Sequence, residues 1–176
     1  MSDYIPRLTS NGMQNNPYWY SRNPFYNAGY GLPNCTCYAW GRFWENSDIN
    51  GDFSNRPLLS TGNAEDWFAF PDGYERGNTP ALGAIACYAD GIFSGDGHVC
   101  VVEEIHDTYC VTSNSAYGGE YFYLVNIGLD GSYPYGGYTF QGFIYNPITG
   151  GGGGGIKKKP WLFKRELYNR EGFLIR

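Results

Sequence analysis

Two residue types in this chain can do covalent chemistry near neutral pH when they are brought together: cysteine, at positions 35, 37, 87, 100 and 110, and histidine, at 98 and 106. A thiol attacks carbon well only as a thiolate, so it needs a site that stabilises the anion or a base that takes the proton. Cys35 lies in "GLPNCTCYAWGRFWE" directly after Asn34. Asn is a strong helix N-cap, which places Cys35 in a first turn whose free N–H groups and dipole favour negative charge. Cys37 follows two residues on, roughly 200° around a helix, so the two thiols face apart. His98 follows "SGDG" and opens "HVCVVE", at the mouth of a strand, whereas His106 in "EEIHDTY" sits at a turn and is expected to be exposed. A Cys35 nucleophile with His98 as base is one reading. Cys35 as a small buried hydrophobe is the other.

The remaining cysteines point elsewhere. Cys87, Cys100 and Cys110 fall in apolar strand-like runs and read as buried hydrophobes. The count is odd, no CxxC pair occurs, and a disulfide between residues 35 and 37 would be badly strained. Neither a disulfide framework nor a zinc site is expected.

The elements that must position these groups are legible in outline. With 176 residues, 26 Gly, 17 Tyr, 11 Phe and 5 Trp, the chain suits one strand-rich, turn-rich domain over residues 1–149. A helix is expected over 35–46 and a short one around 63–68. Strands are expected over 81–88, 98–105, 109–113, 121–125 and 140–145, separated by turn signals such as "FSGDGH" and "YGGE". One helix leading into an antiparallel sheet is an α+β arrangement. Six glycines at 150–155 read as a flexible linker to a short basic, aromatic tail, 156–176.

Residues 1–155 contain five Arg, no Lys and fifteen Asp or Glu, a net charge of −10, and the tail carries +5. An acidic body argues against nucleic acid as a partner, because phosphates require a basic face. The tail is suited to an anionic partner or to the acidic body itself. No apolar run is long enough to span a membrane, and the N-terminus lacks the pattern of a secretory signal.

Six segments in order resemble the CHAP domain, the cysteine, histidine-dependent amidohydrolase/peptidase family: "NPFYNAGYGLPNCTCYAWGRFWE" (23–45), "GNAEDWF" (62–68), "PALGAIACY" (80–88), "GHVCVVEEI" (97–105), "SNSAYGG" (113–119) and "FQGFIYNP" (140–147). The resemblance implies a papain-like α+β fold and cleavage of amide bonds in peptidoglycan, with Cys35 as nucleophile and His98 as general base. Aligned on Tyr117-Gly118-Gly119, Asn114 stands where many relatives carry a Glu, and Asn can orient an imidazole as third member. Glu103 is the alternative, but an odd separation from His98 puts the two on opposite faces of a strand unless a bulge intervenes. The oxyanion would be held by the Cys35 N–H and a second donor near residues 27–30.

Tyr30, Trp40, Trp67 and Tyr117 are candidates for a substrate groove. Asp48, Asn50 and Asp52 in "SDINGD" are weak calcium candidates, since no Glu follows at EF-hand spacing. No other cofactor is expected. The leading expectation is a phage or prophage lysin that waits in the host cytoplasm for release through a holin and acts at the wall. The alternative is a virion tail-associated or wall-binding protein whose CHAP body is secondary or inactive; on either reading the resemblance implies anionic wall polymers or another virion protein as partners of the basic tail.

Overall fold

The structure is a computed structural model and describes residues 4–91 and 96–147. The glycine linker and the basic tail expected from the sequence lie outside the described residues. A short helix α1, Pro24–Asn27, starts under an Asn23 cap with Pro24 in its first turn, where the missing N–H costs nothing. Helix α2, Cys35–Ser47, follows; the Asn34 side chain accepts from the Thr36 N–H at 2.9 Å, satisfying a donor with no partner inside the helix. A 3-10 turn spans Ala64–Asp66. Six strands complete the order: β1 Arg76–Gly77, β2 Ile85–Asp90, β3 His98–Ile105, β4 Tyr109–Asn114, β5 Tyr123–Gly128 and β6 Tyr138–Ile144.

The strands form one antiparallel sheet in the order β1-β6-β2-β3-β4-β5. Side chains alternate between its faces. Ile85, Cys87, Val99, Val101 and Ile144 pack toward α2. Ala86, Tyr88, Cys100, Val102 and Cys110 pack on the opposite face, covered by Tyr133 and Phe140. Both faces are buried, so β2 and β3 read as continuous apolar runs, and the three strand cysteines are free, fully buried thiols. This is the expected α+β, papain-like arrangement.

Strand β1 and the start of β6 at Tyr138 lie outside the expected strands, and the starts of β2 and β5 lie later than expected. The β2 run begins at Ile85 because residues 81–84 form a turn, with Gly83 at φ +73° and the Ala84 N–H bonded to the Ala81 carbonyl at 3.1 Å. The β5 run begins at Tyr123 because the preceding pair reaches over the helix: Phe122 packs edge-on to Tyr38 and Tyr121 meets the Tyr20 hydroxyl at 3.0 Å.

Residues 4–23 wrap the outer side of α2, which is why nearly every residue from Thr36 to Trp44 is buried. Trp19 Nε1 donates to the Tyr38 carbonyl at 3.0 Å, and Asn23 Nδ2 donates to the Cys37 carbonyl at 3.0 Å. The approach is so close that a Cβ on Gly41 would lie 2.5 Å from Trp19 Cδ1. On the sheet side, Arg42 reaches Glu103 of β3 through Nε at 2.9 Å and Nη2 at 2.8 Å. Glu103 is fully buried and sits at a bulge between Val102 and Glu104.

Removing one partner of that pair leaves the other charge buried and uncompensated. Arg42→Met is therefore expected to destabilise the fold by about 3–5 kcal/mol, read from the denaturant midpoint. The double variant Arg42→Met/Glu103→Met is expected to recover most of that loss.

Candidate active site

The N-cap that starts α2 also fixes where its first residue lies. The Asn34 backbone N–H donates to Ser115 Oγ at 3.0 Å, and Ser115 donates in turn to the Glu120 carbonyl at 3.3 Å. The helix start is thereby tied to the end of β4. Cys35 occupies the first helical position, half-buried and lining a cleft of about 620 Å³. Cys37 points the other way: it is fully buried and its thiol faces the Trp19 carbonyl at 3.6 Å.

His98 opens β3 and lines the same cleft. Gly97 delivers it there with φ +67°, and a Cβ at that glycine would collide with the Tyr88 carbonyl oxygen. The imidazole is buried among Tyr88, directly opposite on β2, Tyr138 of β6 and Tyr133, with ring centroids 6.4, 5.5 and 5.5 Å away. Asn114 lies on the neighbouring strand β4, and its Oδ1 is 2.9 Å from His98 Nε2.

The tautomer follows from the bonds behind this contact. Thr112 Oγ1 donates to the Val125 carbonyl at 2.9 Å, so its lone pairs are free to accept. Asn114 Nδ2 donates to the Thr112 carbonyl at 3.0 Å and to Thr112 Oγ1 at 3.1 Å. Both amide hydrogens are used there, so Oδ1 faces the histidine. An amide oxygen only accepts, so Nε2 carries the ring proton and Nδ1 keeps its lone pair.

Burial sets the resting charge. It pushes the Cys35 thiol up to about 11, against the opposing pull of the nearby Val99, Thr36 and Cys35 N–H groups, while Asp96 raises it further. Burial also lowers His98 below its usual 6.5, partly offset by the bond to Asn114. The sequence suggests a thiolate stabilised at the helix start. Burial instead favours the neutral thiol and the neutral imidazole, because desolvation outweighs the N–H groups.

Other candidates separate cleanly. Glu103 faces α2, as alternation along β3 requires, and is consumed by Arg42, Tyr4, Arg7 and Ser113. Tyr30 and Tyr117 are exposed and line the cleft. Trp40 and Trp67 do not line it and are corrected to core residues: Trp40 packs on Trp44 and Trp67 on Phe25, both essentially without exposure. Asn27 donates its side-chain amide to the Ser21 carbonyl at 3.3 Å. Asp48 is buried at the end of α2, accepting from the Tyr18 hydroxyl at 2.8 Å and the Phe53 N–H at 2.6 Å. Asn50 and Asp52 follow in the exposed turn, and among the described residues no three His, Cys, Asp or Glu side chains are grouped to hold a metal. His106 is exposed and bonded to Glu104 at 3.0 Å.

The tyrosines around His98 and the Thr112 relay escape a sequence reading, since nothing distinguishes them among 17 tyrosines or marks Thr112. Asp96 was readable: it stands two residues before the histidine in "GDGH".

A family model described as CHAP domain matches residues 25–116, from α1 to just beyond Asn114 and thus over Cys35 and His98. No curated protein matches the chain, and no solved structure does.

Cys35 is the one cysteine of five that is not buried, so iodoacetamide added to native protein reports on it. With a neutral resting pair the alkylation rate is expected to be low at pH 7 and to rise about tenfold per pH unit as the thiolate fraction grows. A rate already on its plateau in mild acid would indicate a preformed thiolate–imidazolium pair.

Proposed function

The chain belongs to the CHAP family of peptidoglycan amidohydrolases and peptidases, and within that class we propose that it cleaves a cell-wall amide by acyl transfer to Cys35, with His98 as the base and Asn114 as the group that orients it. The observation that carries this reading is that His98, bonded to Asn114 at 2.9 Å, lines one cleft with the helix-start Cys35. That constellation is recognised by geometry and role, not by chain position.

As the Cys35 sulfur attacks the amide carbon, its proton passes to His98 Nδ1. The oxyanion that forms is met by the Cys35 N–H at the start of α2. His98 then gives its proton to the departing nitrogen, the C–N bond breaks, and a thioester remains on Cys35. Water adds to the thioester, losing a proton to Nδ1; the C–S bond then breaks to release the acid as Nδ1 returns that proton to the departing sulfur, restoring the thiol and the neutral imidazole. Throughout, Asn114 Oδ1 accepts from Nε2–H and holds the ring in the productive tautomer. Tyr30 and Tyr117 offer exposed aromatic faces on which substrate can pack. A role as a phage lysin, attacking the wall from within the host, is part of the same proposal. No helix of the described residues is long and apolar enough to cross a membrane. Purified protein that solubilises isolated walls but leaves no trace of lysis when co-expressed with a holin would overturn the lysin role alone.

Cys35→Ala is expected to abolish release of new amines from purified peptidoglycan, with mass spectrometry of wild-type digests identifying the bond cut. The rate for wild type should fall with acid as His98 gains a proton. The midpoint should lie below 6.5, because burial lowers this group. Asn114→Ala is expected to reduce kcat about 100-fold. Asn114→Asp should shift the acid limb upward, since a carboxylate favours the imidazolium.

A further inference from the structure

Asp96 is the one charged side chain lining the cleft among the described residues. It is not a stray surface carboxylate. Its Oδ1 accepts from Asn63 Nδ2 at 2.9 Å, and its backbone carbonyl accepts from the Glu65 N–H at 3.2 Å. The tight turn at Gly97 then leads directly into His98. The carboxylate is thus anchored from the 3-10 turn and held at a fixed offset from the imidazole. The bond to Asn63 occupies only part of its acceptor capacity.

Among the described residues no ion pair offsets this charge. The five arginines of the described residues are engaged elsewhere: Arg7 and Arg42 with Glu45 and Glu103, Arg76 with Asp72, Arg22 over the Phe53 ring and Arg56 over the Trp40 ring. No lysine occurs before residue 157. For acyl transfer an unneutralised carboxylate at this place is unfavourable, because it opposes both the thiolate and the oxyanion. Its influence does reach the sulfur, where it raises the thiol. A cation brought by the substrate would cancel that opposition at the moment of binding.

We propose that Asp96 is a specificity residue that binds a primary ammonium of the substrate, so that the cleft prefers peptides with a free amine close to the scissile amide. The inference rests on the hydrolase reading. Such an ammonium has two sources in a wall peptide: the side chain of an uncross-linked diamino acid, or the amino terminus of a bridging peptide.

The test compares peptidoglycan fragments in four forms: both amines free, either one acetylated, or both acetylated. Wild type and Asp96→Asn are each assayed for kcat/KM by mass spectrometry of products. Acetylating the recognised amine is expected to lower wild-type kcat/KM about fivefold, the scale of one solvent-exposed ion pair. Asp96→Asn should respond to neither acetylation. The arm that matters identifies the source. A wild type indifferent to both acetylations, or an Asp96→Asn enzyme as sensitive as wild type, would overturn the proposal while leaving the hydrolase intact. Absence of turnover on every fragment and on whole sacculi would instead overturn the hydrolase reading and this inference with it. Asp96 is exposed and the substitution is isosteric, so folding is retained. As a readout independent of turnover, iodoacetamide should alkylate Cys35 faster at pH 8 in Asp96→Asn than in wild type. An unchanged rate would show that the carboxylate does not act at the sulfur.

Discussion

The Glu103 carboxylate is the constraint around which this domain is arranged. A fully buried carboxylate must be matched by donors or it will not stay ionised. Here five converge on it: Nε and Nη2 of Arg42, the Tyr4 hydroxyl, the Arg7 N–H and the Ser113 hydroxyl. They come from α2, the N-terminal wrap and β4, so one charge sets the position of three segments against β3. Hydrophobic packing alone would let the helix slide along the sheet at modest cost, because apolar contacts are not directional. The ion pair forbids that, and so fixes where Cys35 comes to rest.

The same two strands present the site on their other face. Ser113 serves Glu103 on the helix side, while Asn114, next in sequence, turns to His98. On β3, Glu103 and His98 face opposite ways for the same reason. The pleat therefore divides one pair of strands between anchoring and chemistry, and the Ser115 bond to Asn34 joins the two at the helix start. The neutral resting state belongs to this design. Burial pushes the Cys35 thiol up and the His98 ring down, and both shifts favour the uncharged forms. The Thr112–Asn114 relay leaves Nδ1 of His98 with its lone pair, as the proposed proton transfer from Cys35 requires.

Much of this was legible in the sequence, for identifiable reasons. Asn34 before an apolar helical run marks a helix start, and "GHVCVV" marks a buried strand, so the elements bearing Cys35 and His98 were placed correctly. Alternation alone separated Glu103 from His98, because the bulge falls at Glu103 itself and leaves the earlier residues in phase. Other features depend on tertiary context. Trp40 and Trp67 have the chemistry of groove residues, but only packing shows that Trp44 and Phe25 enclose them. The direction of the Cys35 shift was misjudged since dipoles can be read from a helix start, while desolvation depends on what the fold lays over it.

The central claim is that a wall amide is opened through a thioester on Cys35. Rapid acid quenching during turnover, followed by peptide mapping in the mass spectrometer, tests it most directly. The account expects the acyl portion of the substrate attached to the peptide containing Cys35, lost on treatment with hydroxylamine. Burst turnover with no adduct on Cys35, or an adduct on another residue, would contradict it.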